Sequence, residues 1–192
     1  LVSEIRVYFE GDPQLKEGFH AFFGKLVFKD YPRRCRVRFI AGRGRSKTID
    51  DFQVSLASNP SSWNVLLIDS EGPDDGKLFA ALKLPVAQED SVFWMVQLME
   101  SWFLADIQTL KNYYGKGFSE ARLRANRDIE GIPKKDVLKR LGLATKMTQK
   151  RKYDKIDDAP RLLRLIEPAA LRKACPNCGR IFEVFDSRLR DG

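Results

Sequence analysis

The segment Asn64 to Ile68, NVLLI, is a short continuous apolar run that stops at Asp69-Ser70-Glu71-Gly72-Pro73. Runs of this kind, without polar alternation, suit a central parallel strand, because helices cover both of its faces. Two earlier segments alternate instead. Glu4 to Glu10, EIRVYFE, is rich in Ile, Val, Tyr and Phe and ends at Gly11-Asp12-Pro13, while Cys35 to Ala41, CRVRFIA, repeats the pattern. Between them Leu15, Phe19, Phe22, Phe23 and Leu26 recur at spacings of three and four, which predicts an amphipathic helix over Leu15 to Phe28. Thr48 to Ser58, with Phe52, Val54 and Leu56 at apolar positions, reads as a second helix.

Strand, helix, strand, helix, strand is the order of right-handed crossovers, so the expected class is α/β, with a Rossmann-like parallel sheet and helices on both faces. Ser91 to Tyr114 is long, aromatic-rich and free of Gly and Pro; its first part reads as strand and the rest as helix, with Trp94, Leu98, Trp102, Leu104 and Leu110 to bury. From Gly115 onward the chain is basic and helical, in IPKKDVLKRLGLA and in APRLLRLIEPAALRKA, the second broken at Pro168. There is no convincing internal repeat. The 192 residues are therefore expected to form one domain, 1–192, made of a sheet core (1–114) and a basic helical C-terminal part (115–192).

Composition narrows the setting. Apolar runs are interrupted by Gln97 and Glu100 and are too short to span a bilayer, and no basic segment followed by an apolar stretch marks a secretory signal near the N-terminus. The sequence starts at Leu1 rather than Met, which leaves a trimmed start open. Cys35, Cys175 and Cys178 are an odd count and a poor disulfide framework, so a reducing, cytoplasmic compartment is expected. A net charge of +8 favours polyanions, nucleic acid first among them, and the strongest basic run, Met147 to Lys155, holds Lys150, Arg151, Lys152 and Lys155.

Functional groups of an open parallel sheet gather beyond the carboxyl ends of its strands. Glu10 closes the first strand, and Asp69 with Glu71 closes the apolar run. If those strands are neighbours, three carboxylates converge, and a hard cation such as Mg²⁺ or Mn²⁺ is the expected neutralising partner, with Asp12 a further ligand directly or through water. Each carboxylate alone is equally well explained as a turn former or helix cap. LLIDSE also has the form of a Walker B strand, but GRGRSKT, Gly42 to Thr48, lacks the spacing of a phosphate loop and reads as a basic loop able to touch nucleic acid. Cys175-Pro-Asn-Cys178 has zinc-knuckle spacing without a second pair of ligands and reads as two partly buried thiols, with zinc shared across a dimer as the lesser alternative. His20, the single histidine, reads as a packing or surface residue.

YFEGD at Tyr8 to Asp12 resembles the first Toprim motif, and LLIDSE at Leu66 to Glu71 resembles the second, with Glu71 where Asp is commoner. Val96 to Asp106, VQLMESWFLAD, is similar to the segment of OLD-family and RloB-type Toprim proteins in which an acidic residue precedes an aromatic-apolar helix. Ile132 to Lys134 and KYDKIDDAPRLL complete the resemblance to small bacterial Toprim-like proteins often encoded beside ABC-type ATPases in defence loci. The resemblance implies metal-dependent cleavage of DNA or RNA in an anti-phage defence system with an ABC-type ATPase partner, and leaves a homodimer open. It further implies Glu10, Asp69 and Glu71 as ligands, Glu100 as a further ligand or general base, and Lys155 as a counter-charge to phosphate. Lys134, Lys135, Lys150, Arg151 and Lys152 are then the backbone-phosphate contacts. The alternative is a catalytically inactive Toprim-like adaptor that binds a partner ATPase or nucleic acid; primase or topoisomerase chemistry ranks below both, since a topoisomerase needs a further tyrosine-bearing domain.

Overall fold

The computed structural model describes residues 3–25, 35–123 and 128–190. In chain order the regular elements are β1 (Glu4–Glu10), α1 (Leu15–Gly24), β2 (Arg36–Gly42), α2 (Arg45–Ser58), β3 (Trp63–Asp69), α3 (Leu78–Ala81), β4 (Val92–Met95), α4 (Ile107–Tyr114), α5 (Lys134–Thr145), α6 (Ala159–Leu165), α7 (Pro168–Ala174) and α8 (Pro176–Arg190). The four strands form one sheet in the order β2-β1-β3-β4, and every pairing is parallel. The α/β expectation therefore holds, including the helical C-terminal part. No helix among the described residues is long and apolar enough to cross a membrane.

Side-chain alternation divides the core in two. Ile5, Val7 and Phe9 of β1, Val65 and Leu67 of β3, and Phe93 and Met95 of β4 belong to the cluster shared with α1 and the C-terminal helices. Tyr8, Leu66, Ile68, Val92 and Trp94 belong to the smaller cluster built with Phe52 of α2. Strand β3 is buried along its whole length, as its unbroken apolar sequence requires. Aromatic side chains fill much of the larger cluster: Phe22 packs at a tilt against Trp102 at 5.3 Å, and Phe23 stacks on Phe185 of α8 at 5.5 Å.

Several local expectations shift. The first helix forms over Leu15–Gly24, and the expected stretch from Leu26 to Phe28 lies outside the described residues. The second helix starts at Arg45, three residues earlier than expected, and β2 runs to Gly42, so only Arg43 and Gly44 of the basic segment GRGRSKT are loop. Val54 is 66% exposed, because it lies on the solvent side of α2 while Phe52 faces the sheet. The block after Met95 is not one helix: Met99–Ala105 winds as a 3-10 segment before α4 begins, and Pro168 opens α7. Cys175 and Cys178 are free thiols buried at the α7–α8 junction, and burial first, then the bond to Cys175, pushes Cys178 well above the ordinary thiol range.

Helix α6 crosses α1 at Gly18. A Cβ there would stand 2.8 Å from the Pro160 carbonyl oxygen and 2.9 Å from Leu163 Cβ, so the crossing needs a glycine. Gly18→Ala should destabilise the fold by about 1–3 kcal/mol through overpacking. Gly24→Ala, which meets nothing within 4 Å, should be neutral or slightly stabilising. Urea unfolding of both variants checks this, and equal midpoints would show that the crossing yields at no cost.

Candidate functional site

Strand β2 lies outside β1 and strand β4 outside β3, so the chain reverses its direction of progress between β1 and β3. The crevice beyond the carboxyl ends of two such strands is where open α/β sheets place their ligands. Three short loops rim it, after β1, β3 and β4.

Asp69, the last residue of β3, is 6% exposed, and its Oδ1 accepts a hydrogen bond from the Met99 backbone N–H at 2.8 Å. The next residue on that 3-10 segment, Glu100, is fully buried. Its Oε1 accepts a bond from the Tyr153 hydroxyl at 3.1 Å and lies 3.4 Å from Lys155 Nζ, whereas its Oε2 has no hydrogen-bond partner. Burial, and after it the negative charge of Glu100, pushes Asp69 up to about 7. Burial and the neighbouring Glu100 also raise Tyr153, which keeps it a protonated donor.

Glu10 approaches from the other side. Phe9 pairs with Leu67, so one step further along Glu10 is level with Ile68 and shares the side of Tyr8, while Asp69 follows the parity of Leu67. A one-residue offset in a parallel pair sends side chains to opposite faces. Glu10 accordingly meets Arg45 at the start of α2: Nη1 lies 3.9 Å from Glu10 Oε2, too long for a hydrogen bond, and that oxygen has no hydrogen-bond partner. Arg45 also donates to the Asp69 carbonyl oxygen and lies 5.8 Å from the Trp94 ring centre. Burial raises the Glu10 carboxyl, with Arg45 opposing and Glu71 adding to the rise.

Glu71 is drawn to the rim. Its Oε2 pairs with Lys134 Nζ at 2.5 Å, and the side chain is 46% exposed. Glu71 and Gln97 both have left-handed backbone, at φ 65° and 64°, and they face each other through the Glu71 N–H bond to the Gln97 carbonyl at 3.1 Å. Non-glycine residues hold such conformations only where their surroundings over-determine them. Here Gln97 N–H donates to Ser70 Oγ, and Gln97 Oε1 accepts from the Lys134 N–H.

Glu10, Asp69 and Glu71 stay close enough that Glu10 and Lys155 act on Asp69, and Glu71 and Lys155 on Glu10, but their direct partners divide them into two groups. Asp69, Glu100, Tyr153 and Lys155 form one; Glu10, Arg45, Glu71 and Lys134 form the other. Among the described residues no three His, Cys, Asp or Glu side chains are grouped so as to cage a metal ion. The site carries two buried carboxylate oxygens without hydrogen-bond partners and an aspartate lifted first by burial and then by Glu100.

Asp12 is not brought to this group; its Oδ1 accepts from the Gln14 N–H at 2.8 Å and shapes the entry to α1. Of the expected phosphate contacts only Lys134 enters the crevice. Lys135, Lys150, Arg151 and Lys152 are exposed on α5 and the turn that follows it, where Lys150 Nζ sits 4.6 Å from the Tyr113 ring centre. Arg45, Tyr153 and Asp158 went unassigned in the sequence. Asp158 is buried and accepts from the Tyr113 hydroxyl at 2.8 Å, the Tyr114 hydroxyl at 2.9 Å and the Asp154 N–H at 2.9 Å, so it anchors the loop that carries Lys155. The sequence signal was the tyrosine within KYDKIDD and the arginine inside GRGRSKT.

Fold and site together define the class: an open, all-parallel α/β protein with buried carboxylates at its switch point. The chain belongs to the family described as a domain of unknown function, DUF4276, which matches residues 23–185. That stretch contains Asp69, Glu100 and Lys155 and leaves Glu10 outside. No curated protein and no solved structure matches the chain.

Asp69 keeps its proton up to about pH 7 when folded but releases it near 3.8 when unfolded. Between those values the folded state binds more protons, so stability falls as pH rises through this window. Asp69→Asn should flatten that slope and, above pH 7 in EDTA, exceed the wild type by on the order of 2–4 kcal/mol. Urea titrations across the window measure it; parallel wild-type and variant profiles would contradict it.

Proposed function

We propose that this chain is a Mg²⁺- or Mn²⁺-dependent nuclease that hydrolyses phosphodiester bonds of DNA or RNA. The observation that carries the reading is the pair of buried, unbonded carboxylate oxygens, Glu10 Oε2 and Glu100 Oε2, beside an Asp69 pushed up to about 7 at the switch point. Acidic groups in that state gain from a hard divalent cation, and oxygen donors select such ions. The resemblance of YFEGD and LLIDSE to Toprim motifs supports the same choice.

Asp69 and Glu100 would hold the ion, with water completing its shell, and Glu10 and Glu71 would stand at its rim. A divalent ion bound there supplies Lewis-acid stabilisation of the phosphoryl oxygens and lowers the pKa of an attacking water. Tyr153 orients Glu100 through its hydroxyl, leaving Oε2 for the ion. Lys155, beside Glu100, and Lys134, beside Glu71, offset the charge of the substrate phosphate. Lys135, Lys150, Arg151 and Lys152 bind flanking phosphates without reading sequence. The setting is cytoplasmic, and the chain acts as the effector of a bacterial defence system whose trigger is an ABC-type ATPase.

A second reading is favoured by one observation. Arg45, Lys134 and Lys155 already give Glu10, Glu71 and Glu100 a protein cation each. In that case the chain is an inactive Toprim-like adaptor for a partner ATPase or nucleic acid.

Incubation with plasmid, single-stranded DNA and tRNA in Mn²⁺, Mg²⁺ or EDTA separates the two. The nuclease reading expects cleavage that EDTA stops and that Asp69→Asn and Glu100→Gln reduce to background. It also expects Mn²⁺ to raise the melting temperature of the wild type and not of Asp69→Asn, since a ligand stabilises only the state that binds it. Cleavage indifferent to EDTA, or a melting temperature that ignores the ion, would sink the metal assignment.

A further inference from the structure

A cavity of about 400 Å³ lies where the start of α1 faces α6, lined by Pro13, Gln14, Lys16, Glu17, Arg161 and Arg164 among others. The chain links it to the acidic site twice. The β1–α1 loop that forms its floor is the same loop that leaves Glu10, and α6 follows directly on the Asp154–Asp158 stretch that positions Lys155.

The charge of its wall is one-sided. Among the lining residues Glu17 is engaged by Arg164 across the two helices, so Lys16 and Arg161 give the lining its net positive sign, Arg161 with Asp157 and Asp158 beside it. Arg161 reaches the Tyr113 hydroxyl, and the Tyr113 ring carries Lys150 Nζ 4.6 Å from its centre. Lys16, Arg161, Tyr113 and Lys150 therefore form a line of cations interrupted by one aromatic face, ending at the turn that leads to Tyr153 and Lys155. This composition suits a flexible polyanion with stackable rings. A second cavity, of about 350 Å³ beside β4, has the opposite character: Asp74, Glu89 and Asp90 line it, and its Arg180 is already bonded to the Val92 and Glu89 carbonyl oxygens.

The wall is also fixed in place. At Gly18 the backbones of α1 and α6 are too close to slide, so the two helices that carry Lys16 and Arg161 keep their relative positions.

We propose that this cavity seats a backbone phosphate of a single nucleic-acid strand, flanking the phosphate at the acidic site, with the strand continuing over Tyr113 and Lys150. The polyanion's identity rests on the nuclease reading above; the location of the track does not.

Fluorescence anisotropy of a labelled single-stranded oligonucleotide, in EDTA so that nothing is cut, tests it across a salt series. Lys16→Ala with Arg161→Ala should weaken binding by about tenfold and flatten the salt slope by about 0.7 for each phosphate no longer neutralised. Lys77→Ala with Lys139→Ala removes the same charge outside the cavity and should do less. Lys16→Arg with Arg161→Lys should recover binding, which excludes misfolding as the cause. Equal losses in the two alanine pairs, no loss in the first, or displacement of the strand by inorganic phosphate alone at equal phosphate concentration would overturn the proposal. Wild-type binding that depends on Lys16 and Arg161 without cleavage in any metal would remove the nuclease reading and leave the track. Metal-dependent cleavage with binding indifferent to both residues would do the reverse.

Discussion

Burial of β3 between β1 and β4 is the constraint from which the rest of the molecule follows. A strand covered on both faces must be apolar throughout, and the residue that ends it emerges into a low-dielectric setting. Asp69 is that residue. Its one backbone bond, from Met99, does not replace the water it has lost, and Glu100 beside it makes ionisation harder still. Tyr153 and Lys155 are engaged by Glu100, and Arg45 by the Asp69 backbone carbonyl and Glu10, so the Asp69 carboxylate itself keeps a single hydrogen bond.

Strand identity was legible from the sequence because it depends on a local period. EIRVYFE, CRVRFIA and NVLLI each carry that period, and the helix–strand alternation then leaves few topologies. The convergence of carboxylates depends instead on the register between β1 and β3, which no local pattern encodes. One residue of offset sends Glu10 toward Arg45 and Asp69 toward Glu100. Glu100 shows the same limit from the other direction: as an acid among aromatic residues it read as a secondary candidate, yet the 3-10 winding of Met99–Ala105 places it deeper than Glu10 or Glu71. Arg45 was hidden because a basic, glycine-bearing segment looks like a loop until the helix is seen to begin inside it.

The crevice is also where the backbone departs from its preferred conformations. Glu71 and Gln97 take left-handed geometry on facing loops, held there by Ser70, Lys134 and each other. Buried acidic charge and a strained rim both oppose stability, and both sit at the switch point rather than being spread through the fold. Natural proteins tend to keep such features where activity requires them. The aromatic packing of α1, Trp102 and α8 lies on the side of the sheet that holds Asp69 and Glu100, and gives that side a firm base.

Asp158 gathers two tyrosine hydroxyls from α4 and the N–H that starts the Asp154–Asp158 turn. Because all three donors share one anion, helix and turn are hung from a single peg. Tyr113 and the turn that carries Lys155 are thus fixed through the same carboxylate. One anion at the end of α4 therefore sets the place of the lysine that faces the innermost carboxylate.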